Sequence, residues 1–174
     1  MYITHQRLTL RNAVTGDAPQ LAAWWNDGAV MAHAGFPMGL GTTPEKIARD
    51  LQTDSDDTRR RLMLLYDGTP IGEMCFTRLN NAAAEIDIKI CNPAYQEKGI
   101  GRVALSLLIR ALFAMGCEKI VLDTSPHNAR ARHVYEKLGF RQTGIRENCW
   151  QDQMGQWRSA VDYELMEANF VEFL

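Results

Sequence analysis

The chain has 174 residues, 46% of them hydrophobic and 23% charged, with a formal net charge of -2. A chain of this length buries roughly 70% of the surface that its unfolded form exposes, which predicts one domain and excludes two large ones. The nearly balanced charge excludes a bulk attraction to nucleic acid or to an anionic membrane. No apolar run reaches the roughly 18 residues of a membrane-spanning helix, and Met1–Arg11 lacks the features of a secretory leader, so we expect a cytoplasmic protein.

The first third of the chain is predicted to hold one short strand and two helices. Alternating residues indicate a strand over Arg7–Asn12. Asp17 and Pro19 form a helix start before Leu21–Asn26, and Thr43-Pro44-Glu45 starts a second helix. The opening third is therefore predicted to be largely helical.

Three strands are predicted in the middle of the chain. Apolar runs at Leu62–Tyr66 and Ile71–Thr77 flank Asp67-Gly68-Thr69-Pro70, which is typical of a hairpin turn. Asn80-Asn81 indicates the next turn, and Ala84–Cys91 then alternates between charged residues and isoleucines. Successive side chains of a strand point to opposite faces, so one face of this strand is predicted to be core and the other to carry charge.

The second half of the chain is predicted to contain two amphipathic helices, each ended by a glycine, and three strands. In chain order these are a helix over Gly101–Met115, a strand over Lys119–Asp123, a helix over Asn128–Leu138, and strands over Phe140–Glu147 and Trp157–Met166. The predicted order of elements is β-α-α-β-β-β-α-β-α-β-β.

The cysteines and histidines show no spacing that is typical of a metal site. The four cysteines, at positions 75, 91, 117 and 149, include no Cys-x-x-Cys pair, and we expect them to be reduced. The four histidines, at positions 5, 33, 127 and 133, lack the i, i+4 spacing of a helical metal pair. We therefore expect no metal.

A glycine-rich segment, Gln96-Glu97-Lys98-Gly99-Ile100-Gly101, lies between the charged strand and the first amphipathic helix. Its glycines let backbone N–H groups turn inward without interference from a Cβ atom, and the start of a helix adds a positive dipole. Such a nest of N–H groups binds phosphate or pyrophosphate. The segment therefore predicts a site for a nucleotide-bearing cofactor.

A dinucleotide-binding (Rossmann) site is the main alternative. Gly99–Ala104 fits G-x-G-x-x-A, and Asp123 follows at about the distance of a ribose-binding acid. However, the preceding strand alternates with charged residues instead of being apolar throughout, and too little chain follows Asp123 for a doubly wound sheet. A purely structural turn from strand to helix is the third interpretation.

Two motifs in the right order give the chain a resemblance to a known family. Gln96, Gly99 and Gly101 match the signature of the GNAT superfamily of acetyl-CoA-dependent N-acetyltransferases, and the block Asp123–Ala131, followed by Tyr135–Phe140, is similar to its later motif. The resemblance covers most of the chain in element order and is sharpest between residues 85 and 140. It implies an α/β (α+β) fold, with one N-acetyltransferase domain over residues 1–174, a mixed, mostly antiparallel central sheet and helices on both faces.

The resemblance also implies how acetyl-CoA would bind as the cosubstrate. Backbone atoms of Lys89, Ile90 and Cys91 would pair with the pantetheine arm like an added strand. The N–H groups from Glu97 to Arg102 would hold the pyrophosphate, although many relatives have glycine where this chain has Glu97. The cofactor-binding residues that the resemblance implies beyond the strand are Gln96, Glu97, Lys98, Gly99, Ile100, Gly101, Arg102 and Asn128.

Acetyl transfer to an amine needs a group that removes a proton. A primary amine with a pKa near 10.4 is neutral only about one part in a thousand at pH 7.4, so a carboxylate or a water chain must accept the proton of the ammonium ion. Asp87 is the first candidate base, because it lies on the polar strand face and resembles the base of aminoglycoside 6'-N-acetyltransferases. Glu85 on the same face and Asp123 on the next strand are alternative bases or anchors for the amine. Tyr135 would donate a proton to the departing CoA thiolate.

These residue types also fit structural roles. Asp87 and Glu85 fit solvated positions on a strand, and Tyr135 fits an aromatic residue that packs beside Leu138. His127 and His133 match no role in the family and are interpreted as surface or packing residues.

Two classes of acceptor stay open. Glu85, Asp87, Asp123 and Asp152 would make an acidic cleft, which favours a small cationic amine of the aminoglycoside or polyamine kind. The segment Trp150–Met166 also resembles relatives that acetylate the N-terminal residue of ribosomal proteins. The aromatic side chains that the family's acceptor pocket implies here are Trp24, Trp25, His33, Phe36, Trp150 and Trp157.

A CoA-binding sensor or assembly module is the non-enzyme alternative. Such a module would keep Gln96–Gly101 but would need neither Tyr135 nor an acid on the strand, and this chain has both. We therefore expect an enzyme whose partner is a small-molecule amine or a protein N-terminus. No nucleic acid or membrane partner is expected, and a homodimer is compatible with the resemblance.

Overall fold

The computed structural model describes residues 1–80 and 82–174, and within them eight strands join one sheet in the order β1-β2-β3-β4-β5-β6-β8-β7. The strands are β1 (Tyr2–His5), β2 (Leu8–Asn12), β3 (Arg59–Tyr66), β4 (Thr69–Leu79), β5 (Ala83–Ile90), β6 (Lys119–Thr124), β7 (Arg141–Gln151) and β8 (Trp157–Met166). The helices are α1 (Ala18–Trp25), α2 (Gly28–Met31), α3 (Pro44–Leu51), α4 (Ile100–Ala114) and α5 (Ala129–Lys137).

Strands β5 and β6 form the one parallel pair of the described sheet, and they separate after a few residues. Their pairing covers only Ala83 with Lys119, Ala84 with Ile120 and Glu85 with Val121. On its other edge β5 stays paired with β4 as far as residue 90. The two strands therefore diverge from residue 86 onward, and a gap opens in the middle of the sheet.

Helices cover both faces of the sheet, as the predicted fold class requires. On one face α4 packs against the strands. Leu108 of α4 and Phe76 of β4, for example, are both fully buried in the main core cluster. On the other face α1 and α3 pack over Met63 through Leu21 and Ile47 in a second cluster. The polar face of β5 continues this second face beyond the helices.

The mostly antiparallel sheet excludes the dinucleotide-binding alternative. A doubly wound site requires parallel strands on both sides of the glycine loop. Here β5 is antiparallel to β4, and β6 is antiparallel to β8. The G-x-G-x-x-A match of the loop is therefore a coincidence of composition.

Two elements are missing from the predicted order, β1 and α2. The turn between β1 and β2 includes Gln6 with a φ of 51°, so it lacks the glycine or asparagine by which such turns are recognised. Helix α2 has four residues, too few for a helical period, and its start is marked by Asp27, whose Oδ1 accepts a hydrogen bond from Ala29 N at 2.8 Å. The opening third therefore holds a hairpin as well as helices.

The remaining predicted elements are present, with shifted ends. The largest shift is in β7, which continues to Gln151, past the predicted end at Glu147, through an irregular register between Arg146 and Trp150. The predicted turn at Asn80-Asn81 includes Asn81, which lies outside the described residues.

The cysteines are free thiols. Cys91 and Cys117 are buried, Cys75 is half-buried and Cys149 is exposed. Within residues 1–80 and 82–174, no group of three or more His, Cys, Asp or Glu side chains could hold a metal ion. In the same residues no helix has the length and apolar character needed to cross a membrane.

Candidate active site

An open cleft of about 1770 Å³ begins where β5 and β6 separate. Its walls are the divergent ends of these two strands, the glycine-rich loop before α4, the start of α5, helix α2 and the hairpin of β7 and β8. The cleft thus gathers segments from both halves of the chain. The sequence-predicted residues can be located along its walls one group at a time.

The edge of β5 that faces the cleft is open to an added strand. Its parallel pairing ends at Glu85, whereas Lys89, Ile90 and Cys91 line the cleft where the pantetheine arm is expected. Gln96 ties the glycine loop to this edge, because its Nε2 donates a hydrogen bond to Ile90 O at 2.8 Å. Ile90 O is thus already bonded, and the other backbone groups of this edge can accept an extended ligand along the gap.

The loop before α4 presents a row of backbone N–H groups. Those of residues 97–101 donate no hydrogen bond to another backbone group that the structure describes. Gly99 caps α4 with a φ of 77°, a left-handed conformation that favours glycine, and a Cβ atom at Gly99 or Gly101 would meet open space. Together with the N-terminus of the 15-residue α4, these groups fit a pyrophosphate.

The side chains of Glu97, Lys98 and Ile100 are each engaged by other residues of the protein. Glu97 has a φ of 59°, and its carboxylate pairs with Arg130 at 2.9 Å. Lys98 Nζ lies over the ring of Tyr95 at 5.9 Å, and Ile100 is buried in the core. Glu97, Lys98 and Ile100 can therefore serve a cofactor mainly through their backbone.

Arg102 and Asn128 also line the cleft. The Arg102 guanidinium carbon lies 4.2 Å from the centre of the Phe173 ring, and its Nε has no hydrogen-bond partner among the described residues. Asn128 Oδ1 accepts a hydrogen bond from Ala131 N at 3.1 Å and so caps α5. The Arg102 cation therefore lines the cleft near the glycine loop, and Asn128 caps α5 on the same cleft.

Tyr135 of α5 is largely buried and lines the cleft. Its ring packs against Phe140 and Tyr163, each with a centroid separation of 5.9 Å, and its hydroxyl bonds to no residue that the structure describes. Burial, together with the charges of Asp87 and Asp123, raises the pKa of Tyr135 above its ordinary value. The phenol therefore stays protonated at neutral pH and can act as a proton donor.

Asp87 lines the cleft and is part of a chain of polar contacts. Its Oδ2 accepts a hydrogen bond from Lys89 Nζ at 2.7 Å. Lys89 Nζ also lies 3.5 Å from Oε1 of Glu73, which faces Lys89 across β4 and β5. Trp25 Nε1 donates a hydrogen bond to the same Glu73 oxygen at 2.7 Å. One lysine thus holds two carboxylates, of which only Asp87 reaches the cleft.

Charge compensation keeps Lys89 charged despite its burial. Burial alone would lower the pKa of Lys89, but the charges of Asp87 and Glu73 outweigh it and raise the pKa. Burial raises the pKa of Glu73, although Lys89 and Trp25 act in the opposite direction. At neutral pH the ammonium group of Lys89 is therefore permanently available to orient Asp87.

Asp123 also lines the cleft, and it too is paired with a cation. Arg146 Nη2 donates a hydrogen bond to Asp123 Oδ2 at 2.7 Å and another to Asp162 Oδ1 at 2.7 Å. The hydrogen bond with Asp162, helped by the charges of both acids, raises the pKa of Arg146 above its ordinary value. Asp123 and Asp87 are therefore both paired with a cation at 2.7 Å, and pairing alone does not decide between them as the base.

Two predicted acids do not belong to the cleft. Glu85 is exposed and lies where β5 is still paired with β6, so it stops short of the gap. The prediction that Asp152 is part of an acidic cleft is wrong. Its Oδ1 accepts hydrogen bonds from the N–H groups of Met154 and Gln156, and its Oδ2 accepts one from Arg158. The carboxylate of Asp152 holds a turn and is almost completely buried.

Acidic side chains slightly outnumber basic ones along the whole cleft, five to four. Outside residues 96–102 and α5 the charged side chains are Asp27, Asp87, Asp123 and Glu147, with Lys89 and Arg158. Of the four acids predicted to form an acidic cleft, only Asp87 and Asp123 line it.

Half of the predicted aromatic set lines the cleft. His33, Trp150 and Trp157 do so, and His127, interpreted from the sequence as a surface or packing residue, lies there as well. Trp24 is buried in the second core cluster, and Phe36 is half-buried outside the cleft. Trp25 uses its indole N–H to hold Glu73, as described above.

Three contributors were missed at the sequence level: the side chain of Lys89, Glu73 and Arg146. Glu73 does carry a signal, since it is a single charged residue inside the apolar run Ile71–Thr77. A lone acid in a buried strand requires a partner. The partner is Lys89, which pairs with it across the ladder of β4 and β5. Arg146 carried no comparable signal, because many residues of β7 are polar.

The sequence is similar to those of known acetyltransferases. A family model described as an acetyltransferase (GNAT) domain matches residues 7–141. The chain is 32% identical to the ribosomal protein bS18-alanine N-acetyltransferase of Haemophilus influenzae over 112 residues, which is 64% of this chain and 75% of that protein. It is 37% identical to the Escherichia coli protein of the same name over 37% of this chain and 44% of that protein.

Solved structures share the fold over nearly the whole chain. A probable acetyltransferase superimposes with a TM-score of 0.84 at 24% identity, covering 98% of this chain and 99% of that one. A spermidine N-acetyltransferase from Vibrio cholerae, solved with CoA and spermine, gives a TM-score of 0.82 at 22% identity over 95% and 98% of the two chains. Because the family model spans most of the chain, the protein belongs to the GNAT acetyltransferases, enzymes whose acetyl donor is acetyl-CoA.

Proposed function

We propose that the protein transfers an acetyl group from acetyl-CoA to the primary amine of a small cationic acceptor, by direct attack while both substrates are bound. The observation that carries the proposal is the cleft itself. It joins a pyrophosphate nest, an open strand edge, a protonated phenol and an unburied carboxylate in one continuous space. Each part meets one requirement of acetyl transfer.

The cofactor half of the proposal rests on backbone groups. The free N–H groups of residues 97–101 and the cation of Arg102 would hold the pyrophosphate. The open edge of β5 at Lys89, Ile90 and Cys91 would pair with the pantetheine arm. Bound in this way, acetyl-CoA supplies a thioester whose carbonyl carbon can be attacked by an amine.

The protein's own side chains would move two protons. Asp87 accepts a proton from the acceptor ammonium, directly or through a water, which leaves the nitrogen lone pair free to attack. As the C–S bond breaks, Tyr135 donates its phenolic proton to the sulfur, and the nitrogen, positively charged after its attack, releases its second proton through water to restore the phenol. Lys89 holds the Asp87 carboxylate in place during the first transfer, because its Nζ lies 2.7 Å from Asp87 Oδ2.

Charge supports a cationic acceptor. The acids Asp27, Asp87, Asp123 and Glu147 outnumber the bases Lys89 and Arg158 on the walls outside residues 96–102 and α5. A polyamine or an aminoglycoside carries further ammonium groups that could pair with the acids not used in catalysis. The solved relative that is named a spermidine N-acetyltransferase has the same fold.

A protein N-terminus is the second candidate acceptor. It is supported by exposed apolar side chains on the hairpin, Ile145, Trp150 and Trp157, which line the cleft and could cover a peptide. The relative from Haemophilus influenzae carries the name of an enzyme of this kind. The proposal further includes a cytoplasmic location and no requirement for nucleic acid or a membrane.

Competition between acceptor classes tests the proposal. Spermidine, an aminoglycoside and a short alanine-initiated peptide would be offered together with acetyl-CoA, and the acetylated products would be separated by mass spectrometry. The proposal predicts that a polycationic amine gives the highest kcat/KM. A peptide that outcompetes both amines would replace the first acceptor class with the second, and CoA binding without any product would favour a sensor or assembly module.

A further inference from the structure

The turn between β7 and β8 is hydrogen-bonded to a segment far away in the sequence, residues 35–39, and this contact is called the clasp below. Gln153 makes three hydrogen bonds across this contact: its N donates to Gly35 O at 2.8 Å, its Nε2 donates to Gly39 O at 2.9 Å, and its Oε1 accepts from Met38 N at 2.8 Å. Both polar atoms of its side-chain amide are therefore used in one contact. The clasp joins residues about 115 positions apart.

The turn that presents Gln153 is rigid on its own side. The buried carboxylate of Asp152 accepts hydrogen bonds from Met154 N at 2.9 Å, Gln156 N at 3.0 Å and Arg158 Nε at 2.8 Å. A carboxylate that accepts several N–H bonds fixes the local backbone strongly. Gln153 thus projects from a turn that has little freedom to move.

The partner segment is equally tight. Gly35 has a φ of 89°, and a Cβ atom there would overlap the ring of Trp150. Gly39 approaches the backbone of Asn26 so closely that a Cβ atom would collide with it. The segment from α2 to residue 39 is therefore folded on itself and pressed against the hairpin.

The clasp joins the two walls of the cleft that would meet the acceptor. Ala29, Val30 and His33 line the cleft on the α2 side, whereas Trp150 and Trp157 line it on the hairpin side. Neither wall carries a group that the proposed cofactor site uses. Contacts between them therefore bear on the acceptor and not on acetyl-CoA.

We propose that Gln153 is a positioning residue for the amine acceptor. It rests on the proposed function that this part of the cleft receives the acceptor. By holding the α2 segment against the hairpin, Gln153 sets the distance between the two walls before the acceptor binds. Binding of the acceptor then does not carry the free-energy cost of ordering this segment. Gln153 itself touches neither substrate.

The test is the variant Gln153→Ala, assayed with acetyl-CoA and spermidine. We expect the KM for spermidine to rise about tenfold, since two side-chain hydrogen bonds that order the wall are lost. The KM for acetyl-CoA should stay within about twofold of the wild type, because the nest and β5 are untouched. Gln151→Ala is the matched control, because Gln151 lies on the same hairpin and makes only a 3.4 Å bond within it, to Gly155 O.

Hydrogen exchange of the Met38 amide measures the clasp independently of catalysis. Its N–H donates to Gln153 in the wild type, so its protection should fall in Gln153→Ala and persist in Gln151→Ala. An unchanged KM for spermidine in a folded Gln153→Ala protein, or equal rises in both KM values, would overturn the positioning role. Failure of the wild type to acetylate any amine would instead count against the proposed function, and retained Met38 protection in Gln153→Ala would overturn the clasp.

Discussion

Lys89 Nζ lies 2.7 Å from Asp87 Oδ2, and this ion pair joins a carboxylate of the cleft to a buried one behind it. The buried partner is Glu73, whose Oε1 lies 3.5 Å from the same ammonium nitrogen. A strand residue expected to serve only through its backbone therefore organises the charge of the site. The pair also connects the stability of the sheet to the geometry of the proposed base.

Replacing this lysine tests the buried part of the pair. Lys89→Met would leave the Glu73 carboxylate in the core with only the Trp25 hydrogen bond, and we expect a loss of about 3 kcal/mol in the free energy of unfolding at pH 7. Urea denaturation measures it. Lys46→Met is the control, since its partner Asp50 is exposed and the loss should stay within about 1 kcal/mol.

The same variant has a defined pH dependence. Removing Lys89 removes a charge that lowers the pKa of Glu73, so burial then raises that pKa further above its unfolded value. The folded protein binds the proton more tightly than the unfolded chain, so the stability of Lys89→Met falls as pH rises from the unfolded value through the raised one. The loss relative to wild type should therefore shrink on acidification. A loss that is independent of pH would contradict this account.

Gly101→Glu tests the pyrophosphate nest. Acetyl-CoA at a hundred times its Kd should stabilise the wild type by about 2.7 kcal/mol, and a carboxylate in the nest should abolish the effect. Gly101 is a cleaner position than Gly99, whose φ of 77° strains any side chain. Gly16→Glu is the control, because a Cβ atom at Gly16 also meets open space. Equal thermal shifts with acetyl-CoA in Gly101→Glu and Gly16→Glu would show that the nest does not bind the cofactor.

Tyr135→Phe tests the proton donor. The phenol acts only as charge develops on the sulfur, so kcat should fall about a hundredfold while the Kd of acetyl-CoA is nearly unchanged. Tyr163→Phe is the control, since the Tyr163 hydroxyl bonds Arg132 and Glu136 outside the cleft. If kcat is unchanged at saturating substrates, Tyr135 serves only for packing against Phe140 and Tyr163.

Asp87→Asn tests the proposed base. Acetyl transfer should fall most at neutral pH and recover in part as pH rises, because the free amine then becomes abundant without help. Glu85→Gln is a matched control on the same strand, and its exposed position outside the gap predicts a much smaller effect. Wild-type rates in Asp87→Asn would exclude it as the base, and Asp123 would be the next residue to test despite its pairing with Arg146.

Local patterns predicted the elements that carry the cofactor half of the site. The alternation over residues 84–91, the glycine loop and the period of α4 are all properties of short segments, and each is present in the structure. Helix α2 and β1 were missed because they are too short to show a period. The chemistry of the loop could therefore be predicted better than the shape of the opposite wall.

Side-chain pairing between distant segments could not be predicted in the same way. Glu73 meets Lys89 only because the register of β4 and β5 places them opposite each other, and register depends on a turn whose length the sequence leaves open. Arg146 reaches Asp123 across β8, and Gln153 reaches Met38 over 115 positions. Such contacts follow from the assembled sheet and not from any local pattern.

The most direct test of the central claim measures CoA thiol and acetylated amine in the same reaction. Wild-type protein, acetyl-CoA and spermidine would be mixed, thiol release would be followed spectroscopically, and the product would be identified by mass spectrometry. We predict one N-acetylated amine for each thiol released, and neither product with Gly101→Glu. Thiol release without an acetylated amine, or no turnover with any primary amine, would contradict acetyl transfer in this cleft.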